Sequence, residues 1–149
     1  MKILILNGPN LNRLGKRNPN IYGNESMEQV VLGIQTAFPD LYIEYRQSNH
    51  EGDLIDWLQG ASAQDEVQSS VLYDGVILNA GGLSHTSVSL RDAVEDAMAQ
   101  GLRIVEVHIS DIYTREAFRQ HSLLTDVCAH SIIGHGIKGY QEAIQWLKK

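Results

Sequence analysis

The chain has one cysteine, Cys128, and no apolar stretch long enough to span a membrane among its 149 residues. A single thiol cannot form an internal disulfide, and its apolar neighbours predict a buried, unreactive side chain. The "ILIL" run after Lys2 is too short for the hydrophobic segment of a signal peptide. These absences predict a cytoplasmic protein that does not contact a membrane.

Positive charge is also scarce. The net charge is −6, and the basic residues are scattered instead of forming a stripe that could follow a phosphate backbone. Nucleic acid is therefore not an expected partner. The length and the ordinary apolar fraction of 43% predict one folded domain over residues 1–149, large enough to bury a core.

Several motifs that hold metals and cofactors are missing. The sequence contains no HExxH, no cysteine cluster and no cluster of carboxylates, so we expect no metal site. No GxGxxG follows the first apolar run and no Walker lysine is present, which argues against a dinucleotide or nucleoside triphosphate. No GxSxG is present, and no lysine lies in an apolar strand where burial would prepare it for Schiff-base chemistry.

What the sequence does contain is an alternation of strand and helix patterns. Helical periodicity is found near residues 26–38, 51–64, 87–101 and 139–149, and each of these segments lies between two apolar runs or after the last one. The apolar, β-branched runs are residues 2–7, 41–48, 74–80, 103–110 and 126–134. This order predicts an α/β fold with a mostly parallel sheet of five strands covered on both faces, and ligands outside the carboxyl ends of the strands.

The residues at those strand ends are rich in amides and imidazoles. Asn79 and His85 flank a segment with two glycines, and His108 ends the fourth strand with Glu106 two residues earlier on the same side. A carboxylate beside an imidazole fixes its tautomer and raises its proton affinity. Such groups at the ends of buried strands need partners, which the protein itself or a small anion would supply.

Two arginines follow the fourth strand. Arg115 and Arg119 are spaced at i, i+4 in "TREAFRQ", which predicts one face of a short helix. A guanidinium there would bind a carboxylate through two hydrogen bonds, or Arg115 would only pair with a surface carboxylate such as Asp111 or Glu116. The sequence leaves both interpretations open.

Five stretches together resemble the type II 3-dehydroquinate dehydratases. They are "ILNGPNLNRLGKRNPNIYG", "QSNHEGDLIDWL", "ILNAGGLSHTSVSLRDAV", "IVEVHISDIYTREAFRQHS" and "IIGHGIKGY", in the family's order and at its spacing. The resemblance covers nearly the whole chain. It implies a flavodoxin-like three-layer sandwich, a homododecamer built as a tetramer of trimers, and loss of water from 3-dehydroquinate by anti elimination through an enolate. It also implies that no metal or organic cofactor takes part.

The resemblance assigns catalytic roles to five residues. Tyr22 is the implied base, and Arg17, five residues earlier, assists it by lowering the pKa of the phenol. Asn10 is implied to hold the enolate oxygen through a water, and His108 to be the general acid, supported by Glu106. The long connection over residues 6–23 then resembles a lid that brings the base over the strand ends and excludes water.

The substrate-binding residues follow from the same motifs. Ile109 and Ser110 are implied to hold the substrate carboxylate, and Arg119 a ring hydroxyl. The implied substrate-binding residues are Asn79, His85, Asp92, Ile109, Ser110 and Arg119.

The chain departs from the family pattern at three places. Ala80-Gly81-Gly82-Leu83 stands where the family usually has Pro-Gly-Ala and an aromatic residue. Arg17-Asn18-Pro19 stands for Arg-Glu-Pro, and Ser110-Asp111 for Ser-Asn. These departures alter the wall of the predicted pocket and the predicted lid.

Two other functions remain open from the sequence. One is a binding module on the same scaffold for a flavin or a phosphate, although "NGPNLN" is not the Ser/Thr-rich loop that such a ligand prefers. The other is an inactive or regulatory relative, against which the retained Arg17, Tyr22 and His108 argue. The sequence also leaves open whether the reaction serves shikimate synthesis or quinate breakdown.

Overall fold

A computed structural model of the protein describes residues 1–16, 18–65 and 70–149. The strands are β1 (Lys2–Asn7), β2 (Tyr42–Gln47), β3 (Gln64–Asp65), β4 (Ser70–Val71), β5 (Gly75–Asn79), β6 (Arg103–His108) and β7 (His130–Ile133). The helices are α1 (Pro19–Tyr22), α2 (Met27–Ala37), α3 (Glu51–Ser62), α4 (Val88–Ala99) and α5 (Lys138–Leu147). Short 3₁₀ turns cover Leu11–Arg13, Gly81–His85, Ile112–Thr114 and Ala117–Arg119.

Five strands form one parallel sheet in the order β2-β1-β5-β6-β7. The chain places β2 on one side of β1 and then crosses to the other side, where β5, β6 and β7 follow, so the strand order reverses between β1 and β5. The strands β3 and β4 pair with each other in a separate antiparallel sheet. In a doubly wound sheet, this reversal opens a crevice at the carboxyl ends of the strands. The predicted α/β flavodoxin-like fold with a five-stranded parallel sheet is confirmed.

The strands bury both of their faces because helices cover each side. Alternate residues of β1, β5 and β6 pack against α2 and α5 on one face and against α3 and α4 on the other. The largest fully buried side chains include Ile3, Leu4, Ile5 and Leu6, so β1 runs through the centre of the core. Near-continuous apolar strands are what this double covering requires.

The N-terminus of α2 shows how local sequence sets an element boundary. The Ser26 side chain accepts a hydrogen bond from the Gln29 backbone, and the Gln29 side chain accepts one from the Ser26 backbone. This reciprocal pair satisfies two backbone donors that the first helical turn leaves without partners. The sequence itself predicts this capping box, because Ser26 precedes the helical pattern and Gln29 follows three residues later, and the structure confirms it.

Two local predictions were wrong. The predicted short helix around Arg115 and Arg119 is replaced by two separate 3₁₀ turns, and Arg115 between them has extended backbone. The helical spacing of Val88, Ala93, Val94 and Ala97 in the sequence predicts one apolar face of α4. Val88 is instead 61% exposed, whereas the other three are buried. No helix of the described residues is long and apolar enough to cross a membrane.

Candidate active site

A cavity of about 150 Å³ lies at the reversal point of the sheet. Its walls come from the segments that follow β1, β5 and β6, as the strand order requires. The residues that line it are Pro9, Asn10, Leu11, Asn79, Gly81, Gly82, His85, His108, Ile109, Ser110, Ile112, Arg115 and Arg119.

His108 forms an ion pair with Glu106 beneath this cavity. The two residues lie two apart on β6, so both side chains point to the α3/α4 face of the sheet. The His108 Nε2 atom donates to Glu106 Oε1 at 2.6 Å, and both side chains are buried. Since Nε2 is engaged, Nδ1 is the ring nitrogen left to exchange a proton with a ligand.

The Glu106 carboxylate stays charged although it is buried. Burial alone raises the pKa of this carboxyl, but hydrogen bonds from His108, Ser122 and Thr125 outweigh burial and lower the pKa to about 2. At neutral pH the carboxylate is therefore an anion that accepts the Nε2 proton of His108.

His85 places a second imidazole on the cavity wall. Its Nδ1 atom lies 2.8 Å from the backbone carbonyl oxygen of His121, which can only accept, so Nδ1 carries the proton. The Nε2 atom is then left for a ligand. The centroids of the His85 and His108 rings are 6.0 Å apart, so one small molecule can contact both rings.

Asn79 is oriented by a buried network on the opposite face of the sheet. Its Nδ2 atom donates to the Tyr140 hydroxyl at 2.9 Å, and that hydroxyl donates to Asn7 Oδ1 at 3.0 Å. The Asn79 Oδ1 atom accepts the Gly81 backbone N–H at 3.2 Å. Asn7 and Asn79 are in register on β1 and β5, so the phenol of α5 joins two strand ends. These partners fix the orientation of the Asn79 amide, with Nδ2 toward Tyr140 and Oδ1 toward Gly81.

Replacing Tyr140 with phenylalanine is expected to destabilise the protein by about 1–3 kcal/mol, because two buried amides each lose a hydrogen-bond partner. Urea unfolding measures this change. Tyr42→Phe is the matched control, since Tyr42 is 60% exposed and its replacement should change stability by less than about 0.5 kcal/mol. Equal stability of the two variants would contradict the proposed importance of the network.

Asn10 lies at the root of the connection that follows β1. Its backbone has φ of 70°, a left-handed conformation that asparagine adopts more readily than most residues. Its N–H donates to Asn49 Oδ1 at 2.9 Å, and Gln47 Nε2 donates to the same oxygen at 3.1 Å and to the Gly8 carbonyl at 3.2 Å. The end of β2 therefore fixes Asn10 in place.

The segments after β1 and β5 also touch through their backbones. The Gly8 N–H donates to the Asn79 carbonyl at 2.8 Å. A Cβ atom on Gly8 would lie 2.4 Å from the Ala80 carbonyl oxygen, and one on Gly81 would lie 2.9 Å from the Pro9 oxygen. Only glycine permits this approach, so two walls of the cavity form one rigid unit.

The cavity is suited to an anion. Arg115 and Arg119 both line it, and its described walls include no Asp or Glu. Arg119 Nε donates to Glu116 Oε2 at 2.6 Å, and Arg115 Nη1 donates to Ser110 Oγ at 3.3 Å. The two guanidinium groups are donors of the kind that bind a carboxylate.

The structure brings most of the sequence-predicted site residues together. Asn10, Asn79, His85, His108, Ile109, Ser110 and Arg119 all line the cavity, and Glu106 supports it from behind. Asp92 instead lies exposed on α4 and does not line the cavity of its own chain. Arg17 and the Tyr22 side chain lie outside what the structure describes, so their catalytic roles stay predictions. No group of three or more metal-binding side chains occurs within the described ranges.

The hydroxyl groups around Glu106 could not be predicted from the sequence. Ser122, Thr125 and Ser131 all donate to its carboxylate, yet they lie 16 to 25 residues away in the chain. Serine and threonine are common in loops, and no local pattern distinguishes these from others. Only the packing of the segment between Arg119 and β7 against β6 brings them to the carboxylate.

Comparisons with known proteins agree with this geometry. A 3-dehydroquinate dehydratase of Bacillus pumilus is 46% identical over 146 residues, which are 97% of this chain and 92% of that protein. A 3-dehydroquinate dehydratase of Corynebacterium glutamicum is 47% identical over 148 residues, 98% of this chain and 94% of that protein. The crystal structure of a type II dehydroquinase from Butyrivibrio crossotus matches with a TM-score of 0.89 and 42% identity, over 100% of this chain and 98% of that one.

The model of the family described as dehydroquinase class II matches residues 1–148. The match therefore includes every strand of the parallel sheet and every segment that lines the cavity. The chain belongs to the dehydroquinase class II family.

Proposed function

We propose that the chain removes water from 3-dehydroquinate to give 3-dehydroshikimate, with His108 as the acid that protonates the departing hydroxyl. The observation that carries the proposal is the buried Glu106–His108 pair at a cavity lined by two arginines, in a chain that matches the family nearly end to end. The enzyme is a hydro-lyase of the shikimate pathway.

The size and charge of the cavity support this substrate. Its volume of about 150 Å³ is below the range of about 300–1,000 Å³ that is typical for larger ligands, which favours a compact anion over a flavin. The substrate carboxylate binds at Ile109 and Ser110, where Arg115 already contacts the Ser110 hydroxyl. Asn79, His85 and Arg119 are proposed to bind the remaining oxygens of the substrate. Asp92 does not line this cavity, and we propose that it contacts substrate in the cavity of a neighbouring subunit.

The first chemical step removes a proton next to the ketone. Tyr22 is the proposed base, and Arg17 is proposed to lower the pKa of its phenol so that the phenolate is available near neutral pH. The electron pair of the broken C–H bond moves to the ketone oxygen and gives an enolate. Asn10, whose backbone is fixed by Asn49, is proposed to stabilise that oxygen through a water.

The second step breaks the C–O bond of the leaving hydroxyl. The enolate re-forms the ketone, its electrons form the new C=C bond, and His108 gives a proton from Nδ1 to the departing oxygen, so that water leaves. Glu106 stabilises the imidazolium before this transfer through its contact with Nε2. Afterwards the base returns the abstracted proton to His108 through solvent, and the enzyme is ready for another turnover.

The proposed enzyme also has an expected domain structure, cofactor requirement and oligomeric state. We infer that residues 1–149 are a single catalytic domain that needs no metal or organic cofactor. We also infer that the enzyme is a cytoplasmic homododecamer, a tetramer of trimers. The single domain rests on the length and composition of the chain and the cytoplasmic location on its composition, whereas the cofactor independence and the dodecamer rest on the family resemblance. The mass of the assembly by light scattering tests the dodecamer.

The reaction is tested by mixing chelator-treated protein with 3-dehydroquinate and following the ultraviolet absorbance of the conjugated enone product. We expect the absorbance to rise, and quinate, which lacks the ketone that acidifies the C–H bond, to give no change. Substrate with deuterium at either C2 position should lose only the hydrogen that is anti to the departing hydroxyl.

Treatment with borohydride in the presence of substrate separates this reaction from a Schiff-base dehydratase. We expect full activity after treatment, because no imine to a lysine forms. No product from 3-dehydroquinate, or inactivation by borohydride, would contradict the proposed function. A yellow protein with bound flavin would instead support a binding module.

A further inference from the structure

The Glu106 carboxylate accepts hydrogen bonds from three hydroxyl groups in addition to His108. Its Oε1 atom receives the His108 Nε2 proton at 2.6 Å and the Ser122 hydroxyl. Its Oε2 atom receives the hydroxyls of Thr125 at 2.6 Å and Ser131 at 2.8 Å. Each oxygen therefore has two donors, and an ionised carboxylate can only accept.

The three hydroxyls come from two different parts of the fold. Ser131 lies on β7 directly beside Glu106, its partner in the strand register. Ser122 and Thr125 lie in the segment between Arg119 and β7, and the Ser122 oxygen also accepts the Leu124 N–H at 3.1 Å. That second bond fixes the oxygen of Ser122, so its hydroxyl proton is directed to the carboxylate.

The segment that carries two of the hydroxyls is itself anchored. The Leu123 N–H donates to the Ser84 carbonyl at 2.7 Å, and Arg91 Nη1 donates to the Leu123 carbonyl at 2.7 Å. Arg91 also forms an ion pair with Asp126. The same segment supplies the His121 carbonyl that orients His85. One anchored segment thus fixes both imidazoles of the cavity.

A buried carboxylate beside an imidazole has two ways to hold a shared proton. In the ion pair the imidazole is a cation, and in the neutral pair the carboxyl keeps the proton. Glu106 lies on the α3/α4 face of the sheet, where its neighbours are the apolar side chains of one core cluster, which favours the neutral form. Hydroxyl donors favour the charged carboxylate and reverse that preference.

We propose that Ser122, Thr125 and Ser131 are positioning residues for the dehydration: their hydroxyls keep the Glu106 carboxylate charged and in one orientation, so that His108 reaches the cavity as a cation. The dehydration itself is the function proposed above, on which this role rests. None of the three residues lines the cavity, so their effect passes through Glu106.

Other charged and titratable groups surround the pair at greater distance. They are His85 on the 3₁₀ turn after β5, Asp126 and Cys128 on the segment before β7, and Arg91 on α4. Arg91 and Asp126 neutralise each other, and burial raises the pKa of the Cys128 thiol, so it carries no charge at neutral pH. The three hydroxyls are thus the uncharged donors that contact the carboxylate directly, beside the His108 ring.

The test compares Thr125→Val, which keeps the shape of the side chain without its hydroxyl, with Thr125→Ser, which keeps the hydroxyl. The carboxyl ¹³C resonance of Glu106, identified by its loss in Glu106→Gln, is followed against pH in the protein without substrate. We expect the Glu106 titration to move up by at least about one pH unit in Thr125→Val and to return in Thr125→Ser.

Kinetics supply the second measurement. We expect kcat to fall about 10-fold in Thr125→Val with KM nearly unchanged, because the hydroxyl does not touch the substrate. Ser131→Ala, on a different element, should act in the same direction, so the test does not depend on one variant folding. Ser62→Ala is the control, since it removes a buried hydroxyl that donates only to the Gln59 carbonyl in α3.

Unchanged titration of Glu106 in both Thr125→Val and Ser131→Ala would overturn the proposal, as would a failure of Thr125→Ser to restore it. A rise in KM with constant kcat would also overturn it, because that pattern belongs to substrate binding. The titration needs no substrate. A shifted titration in a protein that does not dehydrate 3-dehydroquinate would support the hydroxyl effect on Glu106 and refute the proposed function.

Discussion

Replacing His108 with glutamine is expected to lower kcat by about 10²–10⁴-fold, with a much smaller change in KM. Glutamine carries an amide nitrogen where the imidazole has Nε2, so it can still donate to Glu106 and leave no buried charge without a partner. The amide is, however, not acidic enough to transfer a proton to the departing hydroxyl. The loss should therefore fall on the chemical step and not on folding.

The control for this variant is His130→Gln. His130 is exposed and stacks on Trp146 of α5, with ring centroids 5.1 Å apart, and it does not line the cavity. Its replacement should leave kcat and KM near those of the unmodified enzyme. A His108→Gln enzyme that keeps its kcat would show that another group protonates the leaving hydroxyl.

Replacing Tyr22 with phenylalanine is expected to reduce kcat by a similar factor of about 10²–10⁴ or more, because the proposed base is lost. The two variants differ in the step that fails. In D₂O, His108→Gln should still exchange the hydrogen next to the ketone for deuterium, since the enolate can form and return. Tyr22→Phe should exchange none, because the C–H bond is never broken. Mass spectrometry of recovered substrate measures the exchange.

Tyr113→Phe is the control for Tyr22→Phe. Tyr113 is 58% exposed and adjoins Ile112, which lines the cavity, so it tests whether any phenol near the site matters. It should have normal kcat and normal exchange. Exchange that persists in Tyr22→Phe would assign proton abstraction to a different residue.

Features with a local physical cause could be predicted from the sequence. The Ser26–Gln29 capping box follows from residues three apart, and the Glu106–His108 pair follows from the two-residue repeat of a strand. The apolar runs of β1 and β5 are nearly continuous because both faces of these strands are buried, a pattern that is typical of a parallel sheet. The catalytic roles of residues such as Tyr22 and Arg17 came from the family resemblance, because no residue spacing indicates them.

Features made by distant contacts could not be predicted. The i, i+4 spacing of Arg115 and Arg119 is typical of a helix, but the chain there makes two short turns, because its backbone follows the cavity wall. The Asn7–Tyr140–Asn79 network joins residues 133 and 61 positions apart. The hydroxyls around Glu106 likewise depend on how β7 and the preceding segment pack. The periodicity of apolar residues along the sequence carries no information about such long-range contacts.

The close backbone approach at Gly8 and Gly81 has a consequence for how variation in this chain should be interpreted. A side chain at position 8 meets a carbonyl oxygen at 2.4 Å, and one at position 81 meets another at 2.9 Å. Since both obstacles are main-chain atoms, no second substitution elsewhere can clear the space. In a genetic selection for growth without aromatic amino acids, these glycines should tolerate replacement as poorly as His108, although they perform no chemistry. A position beside this cavity that does not tolerate substitution is therefore not necessarily catalytic, because the close packing of two backbone segments has the same effect.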